Sequence, residues 1–138
     1  MVYSAEILEE GIPAIENLAT FLRKYSFNKC FTSEILRCVQ TSQVVEKITG
    51  FKFEKYSRLN EFVDETFDEF KERVSGAIER FESVNGKTYL ICTHGAVISA
   101  LKHLLVTGKY NEKDFMDFPP PGNLIIIDQT GFRIKDFT

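Results

Sequence analysis

The run Tyr89-Leu90-Ile91-Cys92, left through Thr93-His94-Gly95, constrains the fold more than any other stretch of this chain. Four consecutive residues without a charge belong to a strand covered on both faces. The segment after Gly95, AVISALKHLL, carries its apolar residues at helical spacing, so the order is strand, glycine, helix. The same order occurs earlier. Residues 29–33 (KCFTS) form a short strand, followed by Ile35, Leu36, Val39, Val44 and Ile48 on one helical stripe that Gly50 ends. Ser33 or Thr32 is the natural cap of that helix, with Glu34 in its first turn.

Residues 51–56 then alternate Phe51, Phe53 and Tyr56 against Lys52, Glu54 and Lys55, the pattern of a half-buried strand. From about residue 61 to residue 82, Val63, Phe67, Phe70, Val74, Ala77, Ile78 and Phe81 hold an apolar helical face opposite a charged one. Residues 8–22 predict a further amphipathic helix, with Pro13 in its first turn, where a missing N–H costs little. After the punctuation FPPPGN, residues 124–128 and the segment FRIKDF read as two strands joined through Gln129-Thr130-Gly131. Strands alternating with helices imply an α/β fold. The predicted architecture is a three-layer α/β/α sandwich with a mainly parallel central sheet of residues 29–33, 51–56, 88–93 and 124–128.

A chain of 138 residues, 43% hydrophobic and holding 13 phenylalanines, can bury the core of one domain spanning residues 1–138. Its 17 basic residues are scattered and its formal charge is −3, which gives no footprint for nucleic acid or an anionic membrane. Cys30, Cys38 and Cys92 make an odd count, and two of them lie in apolar runs, as buried thiols in a reducing cytoplasm would. The opening MVYSAEILEE has neither a basic nor an apolar leader region.

Three positions combine into a plausible anion site. His94 stands where an apolar strand meets Gly95 and a helix start, a place that turns backbone N–H groups and positive dipole toward an anion. Arg37 brings a planar donor fork suited to phosphate. Glu61 could act as a general acid. Each also has a plainer role: Arg37 as a surface ion-pair residue, His94 as a structural strand-end histidine, Glu61 as an acid complementing a helix dipole. His103, among Leu101, Leu104 and Leu105, is assigned to structure. Cys30 to Arg37 is one residue too long for the Cys-x5-Arg loop of cysteine phosphatases. No Gly-x-Ser-x-Gly is present, and His94 with Cys92 or Asp114 has no metal-ligand spacing, so no cofactor is predicted.

Taken in order, TSEILRCVQTSQVV followed by YLICTHGAVISALKHLL resembles the two downstream signatures of the histidine phosphatase (phosphoglycerate-mutase-like) superfamily: Ser-x-x-x-Arg-x-x-Gln-Thr, and a strand ending in His-Gly. Leu8 to Leu22 with Gly11 is similar to the helix after that family's first active-site loop, and Leu59-Asn60-Glu61 to its Leu-x-Glu. The resemblance implies a phosphate-ester pocket with Arg37, His94 and Gly95 as phosphate-binding residues and His94 and Glu61 as catalytic ones. It also implies a short, phosphatase-like branch acting on a small phosphorylated molecule or a phosphoprotein.

One element of the family pattern is absent. Its members begin with a strand ending in Arg-His-Gly, whose histidine attacks phosphorus, whereas here the only histidines are His94 and His103. Three arrangements follow: a histidine-bearing strand upstream of this sequence, a pseudoenzyme that binds without turnover, or a second chain that supplies the strand. Because that strand lies inside the family's sheet, its loss would leave ladder groups of residues 88–93 unpaired. A homodimer, or residues 1–7, is predicted to fill the place.

Overall fold

In the computed structural model, residues 11–82, 87–128 and 131–138 are described. Helix α1, Ile12–Leu22, begins after Gly11 with proline at its start, and residues 8–10 of the predicted helix lie outside the described residues. Strand β1, Lys29–Thr32, leads into helix α2, Leu36–Thr49, which Gly50 closes at φ 80°, donating its N–H to the Glu46 carbonyl at 2.8 Å. That left-handed conformation favours glycine, because a Cβ would crowd the backbone. Strand β2 is Phe53–Lys55, and helix α3 is Phe67–Glu82. Strand β3, Tyr89–Cys92, leads to helix α4, Gly95–Thr107. The chain ends in strands β4, Asn123–Asp128, and β5, Gly131–Asp136.

The main sheet has the order β2-β1-β3, and all its pairs are parallel. Alternation along β1 divides the core in two. Cys30 and its neighbour Leu90 pack with Ala19, Leu22 and Val45 of α1 and α2. Phe31 packs on the other face with Phe70, Val74, Val97 and Ala100 of α3 and α4. Helices therefore cover both faces of a parallel sheet, the three-layer α/β arrangement that the sequence predicts. Among the described residues, no helix is long and apolar enough to cross a membrane.

Three sequence expectations are corrected. Residues 124–128 do not join the parallel sheet: β4 pairs antiparallel with β5 in a separate two-stranded sheet, from Asn123↔Asp136 to Asp128↔Gly131. Four-residue apolar runs look alike in both settings, and the following strand captured its ladder; the joining residues Gln129 and Thr130 lie outside the described residues. Helix α3 starts at Phe67 rather than near residue 61, because Thr66 and Glu69 close a reciprocal cap there. The Thr66 N–H donates to Glu69 Oε1 at 2.8 Å, and the Glu69 N–H donates to Thr66 Oγ1 at 3.1 Å. The loop before it includes Asp64 at φ 55°. Finally, neither Thr32 nor Ser33 caps α2: its N-cap is Ile35, without a side-chain cap bond, which makes Arg37 the second helical residue.

Candidate functional site

Parallel strands deliver their carboxyl ends to one edge of a sheet, and the helices that follow start there. In this chain the ends of β1 and β3 lie side by side, with Thr32 opposite Cys92. Ser33 and His94 therefore emerge next to each other, beside the first turns of α2 and α4. His94 is the N-cap of α4, in extended backbone at φ −108° and ψ 163°, and its side chain makes no cap bond to the helix. The ring instead points into the site. It is 8% exposed, with Nε2 2.8 Å from Ser33 Oγ and Nδ1 3.6 Å from Glu61 Oε2.

Cys38 completes the surroundings of the ring, its Sγ 3.6 Å from Nε2 and 3.9 Å from Nδ1. The hydroxyl of Ser33 also accepts the Ile35 N–H at 3.3 Å, so the residue predicted as a cap is committed to the histidine and to the turn. The thiol of Cys92 hydrogen-bonds Cys38 and, with the His94 ring and Ser33, pulls the Cys38 thiol down to about 5 despite burial. The same partnership and its burial push Cys92 well up from the ordinary thiol value. The first turn of a helix favours the thiolate in the same sense.

Glu61 lies in the loop before α3, not at a helix start. Arg73, from α3, holds that loop by donating to the carbonyl oxygens of Arg58 at 2.8 Å, Asn60 at 2.8 Å and Glu61 at 3.2 Å, while pairing with Glu65 at 2.5 Å. Asn60 ties the loop to the start of α2, accepting the Glu34 N–H at 2.9 Å and donating to Glu34 Oε1 at 3.0 Å. Thr93 donates to the Leu59 carbonyl at 2.6 Å. The loop is thus fastened to both strand ends that carry the site.

Arg37 is exposed in the first turn of α2, next in sequence to Cys38. None of the hydrogen bonds or ion pairs among the described residues joins its guanidinium to His94 or Glu61. Gly95 opens α4 beneath Phe118: a Cβ built there would stand 2.3 Å from the ring. A side chain at position 95 would therefore meet that ring unless the ring shifted. His103 lies elsewhere on α4, its Nε2 2.8 Å from Asp117 Oδ2, which also pairs with Lys102 at 2.7 Å.

Of the four positions singled out in the sequence, His94 and Glu61 meet, Gly95 is adjacent, and Arg37 stands at the neighbouring helix start. Ser33, Cys38, Cys92, Arg73 and Phe118 had no part assigned in the site. Ser33 and Cys38 could have been found from their places in the Ser-x-x-x-Arg-Cys segment; Arg73 and Phe118 carry no local signal. Among the described residues, no group of three or more histidine, cysteine or acidic side chains is placed to hold a metal ion. A groove of about 430 Å³ lined by Phe27, Lys29, Phe51, Phe53 and Glu54 lies at the amino ends of β1 and β2, away from His94.

A three-layer α/β protein with its polar cluster at the carboxyl edge of a parallel sheet is the class that these features define. The family model of the histidine phosphatase superfamily, branch 1, matches residues 4–64 and 62–135. The chain belongs to that superfamily. No match was found among curated protein sequences. Solved structures share the fold. The alpha-ribazole phosphatase from Shigella flexneri is 21% identical with a TM-score of 0.77, over 96% of this chain and 84% of that one. Phosphoglycerate mutase from Bacillus anthracis is 18% identical with a TM-score of 0.68, over 78% and 72%. The mycobacterial glucosyl-3-phosphoglycerate phosphatase is 12% identical with a TM-score of 0.67, over 96% and 87%.

Proposed function

We propose that the carboxyl edge of the sheet is a phosphate-ester pocket, with His94, Arg37 and the Gly95 N–H as phosphoryl ligands and Glu61 as the acid. The observation that carries this reading is the His94 ring, turned away from its own helix and held between Ser33 Oγ at 2.8 Å and Glu61 Oε2 at 3.6 Å. Ser33 fixes the ring through Nε2, and Nδ1, beyond hydrogen-bond distance of the Glu61 carboxylate, is the nitrogen left to donate to a phosphoryl oxygen. Arg37, exposed at the same edge, is available for bidentate contact. The ligand class is a phosphate monoester, on a small molecule or a phosphoprotein.

Phosphoryl transfer through a covalent intermediate needs a nucleophile in line with phosphorus. His94 is committed as above and His103 is paired with Asp117, so turnover by the family route requires a histidine from outside the 138 residues. Without it the protein is a pseudophosphatase that binds. Residues 1–138 act as one domain in this reading, supported by a family match reaching from residue 4 to residue 135. The cytoplasm is its compartment, in keeping with three free thiols. Among the described residues β3 pairs only with β1, which supports edge pairing in a homodimer; residues 1–7, the other strand predicted for that place, lie outside the described residues.

Vanadate titration tests the pocket, read from the His94 ring resonances and compared with Arg37→Ala. Loss of about 10- to 100-fold in affinity is expected, since hydrogen bonds to charged groups contribute about 1.5–3 kcal/mol each. An unshifted ring in the parent chain, or equal binding by the variant, would overturn the assignment. Hydrolysis of a generic phosphomonoester should stay at trace level; turnover that disappears in His94→Ala would instead make His94 the attacking group.

A further inference from the structure

Two thiols lie beneath the proposed phosphate pocket, and the pocket has no use for either. Cys38 is 4% exposed, in the first turn of α2, and Cys92 is the half-buried last residue of β3. They are 54 positions apart in sequence, yet the Cys92 thiol donates to the Cys38 carbonyl oxygen at 3.6 Å, which sets the two cysteines against each other. The Cys38 sulfur also faces the His94 ring, at 3.6 and 3.9 Å from its nitrogens. A sulfur beside an imidazole, with a second thiol against the same residue, has what disulfide chemistry needs: a base, an attacking atom and a resolving partner.

We propose that Cys38 and Cys92 form a thiol–disulfide pair under the His94 ring, with Cys38 the attacking sulfur, Cys92 the resolving one and a hydroperoxide the oxidant. Cys38 thiolate attacks one peroxide oxygen, the O–O bond breaks, and the departing oxygen takes a proton to leave as water or alcohol. The product is a sulfenic acid on Cys38. The sulfur of Cys92 then attacks the Cys38 sulfur, releasing hydroxide that the Cys92 proton converts to water. Two electrons leave the thiol pair and reduce the hydroperoxide.

Cys30 is the internal control. It packs among Ala19, Leu22, Val45 and Leu90, and burial followed by the charge of Glu46 pushes its thiol up to about 11. Cys38 is 4% exposed, so an oxidant of near-water size suits it better than a bulky reagent does. The bond would tie the start of α2 to the end of β3 and remove the thiolate that faces His94. This pairing does not depend on the phosphate reading, because its readout is the covalent state of the sulfurs.

The test treats the reduced, full-length chain with hydrogen peroxide, followed by thiol counting, intact mass and peptide mapping. The expected result is a fall from three free thiols to one, with loss of about 2 Da as two hydrogens depart and a linkage mapping to Cys38 and Cys92, reversed by dithiothreitol. Cys92→Ser should stop at a sulfenic acid on Cys38, trapped by dimedone. A linkage through Cys30, a link between two chains, three surviving thiols, or sulfinic acid on Cys38 with Cys92 still free would each overturn the proposal. Mapping of the parent chain decides the matter even where a variant does not fold.

Discussion

Ser33 Oγ lies 2.8 Å from His94 Nε2, joining residues 61 positions apart across the carboxyl ends of two adjacent parallel strands. Ser33 is wholly buried, so the hydroxyl has no water to replace this partner. Ser33→Ala should destabilise the chain by about 1–3 kcal/mol, the cost of leaving a buried polar group unpaired. Urea unfolding checks this. The same variant should broaden the His94 ring resonances, whereas Ser33→Thr should keep them sharp if the hydroxyl alone matters.

Phe118 lies against Gly95 closely enough that a methyl group would overlap its ring, at 2.3–2.6 Å. Gly95→Ala should therefore cost roughly 1–3 kcal/mol as overpacking, despite alanine being the better helix former. Truncating the ring supplies the comparison: adding Phe118→Ala to Gly95→Ala should recover much of that loss. Equal penalties for Gly95→Ala in the presence and absence of the ring would remove Phe118 as the cause.

The depressed Cys38 thiol gives stability a pH dependence with a definite sign. Between about 5 and the ordinary 9.0, the folded chain has released a proton that the unfolded chain still holds. Stability from Cys38 is thus fully present above 9.0, declines through that window, and is lost as pH falls through about 5. Cys92, raised above 9.0, acts oppositely, its contribution present below that value and declining above it. Thiolate absorbance of the native chain should accordingly appear near pH 5, and Cys38→Ser should flatten the unfolding free energy over the acid side of the window. Native thiols that all titrate near their ordinary value would contradict this arrangement.

Arg73 fastens three carbonyl oxygens of the Glu61 loop and pairs with Glu65. Replacement by alanine should destabilise the protein by about 2–4 kcal/mol, since several charge-assisted bonds are lost together. Amide exchange within residues 58–65 should accelerate more than in β1. Arg73→Lys should recover only part of the loss, because a single ammonium cannot reproduce the planar fork. Uniform acceleration across the chain would assign Arg73 to global stability alone.

The order of strands and helices was determined by the sequence itself, because period-2 and period-3.6 apolar patterns express which face each element buries. Phe31, Phe70, Val74 and Val97 meet in one cluster as their spacing requires. The cap at Thr66 and Glu69 was equally present in the letters, although the longer apolar stripe beginning at Val63 masked it. His94 and Gly95 were legible because a glycine after an apolar strand marks a helix start. Other features needed the tertiary structure. Whether residues 124–128 join the parallel sheet or pair with their successor is a competition between distant and adjacent ladders, and the apolar letters are the same in either case. Nothing local to Ser33 distinguishes a helix cap from a partner of His94, and nothing local to Cys38 places Cys92 against it. Those contacts arise only when β1 and β3, separated by α2, β2 and α3, lie side by side and bring their carboxyl ends to one edge.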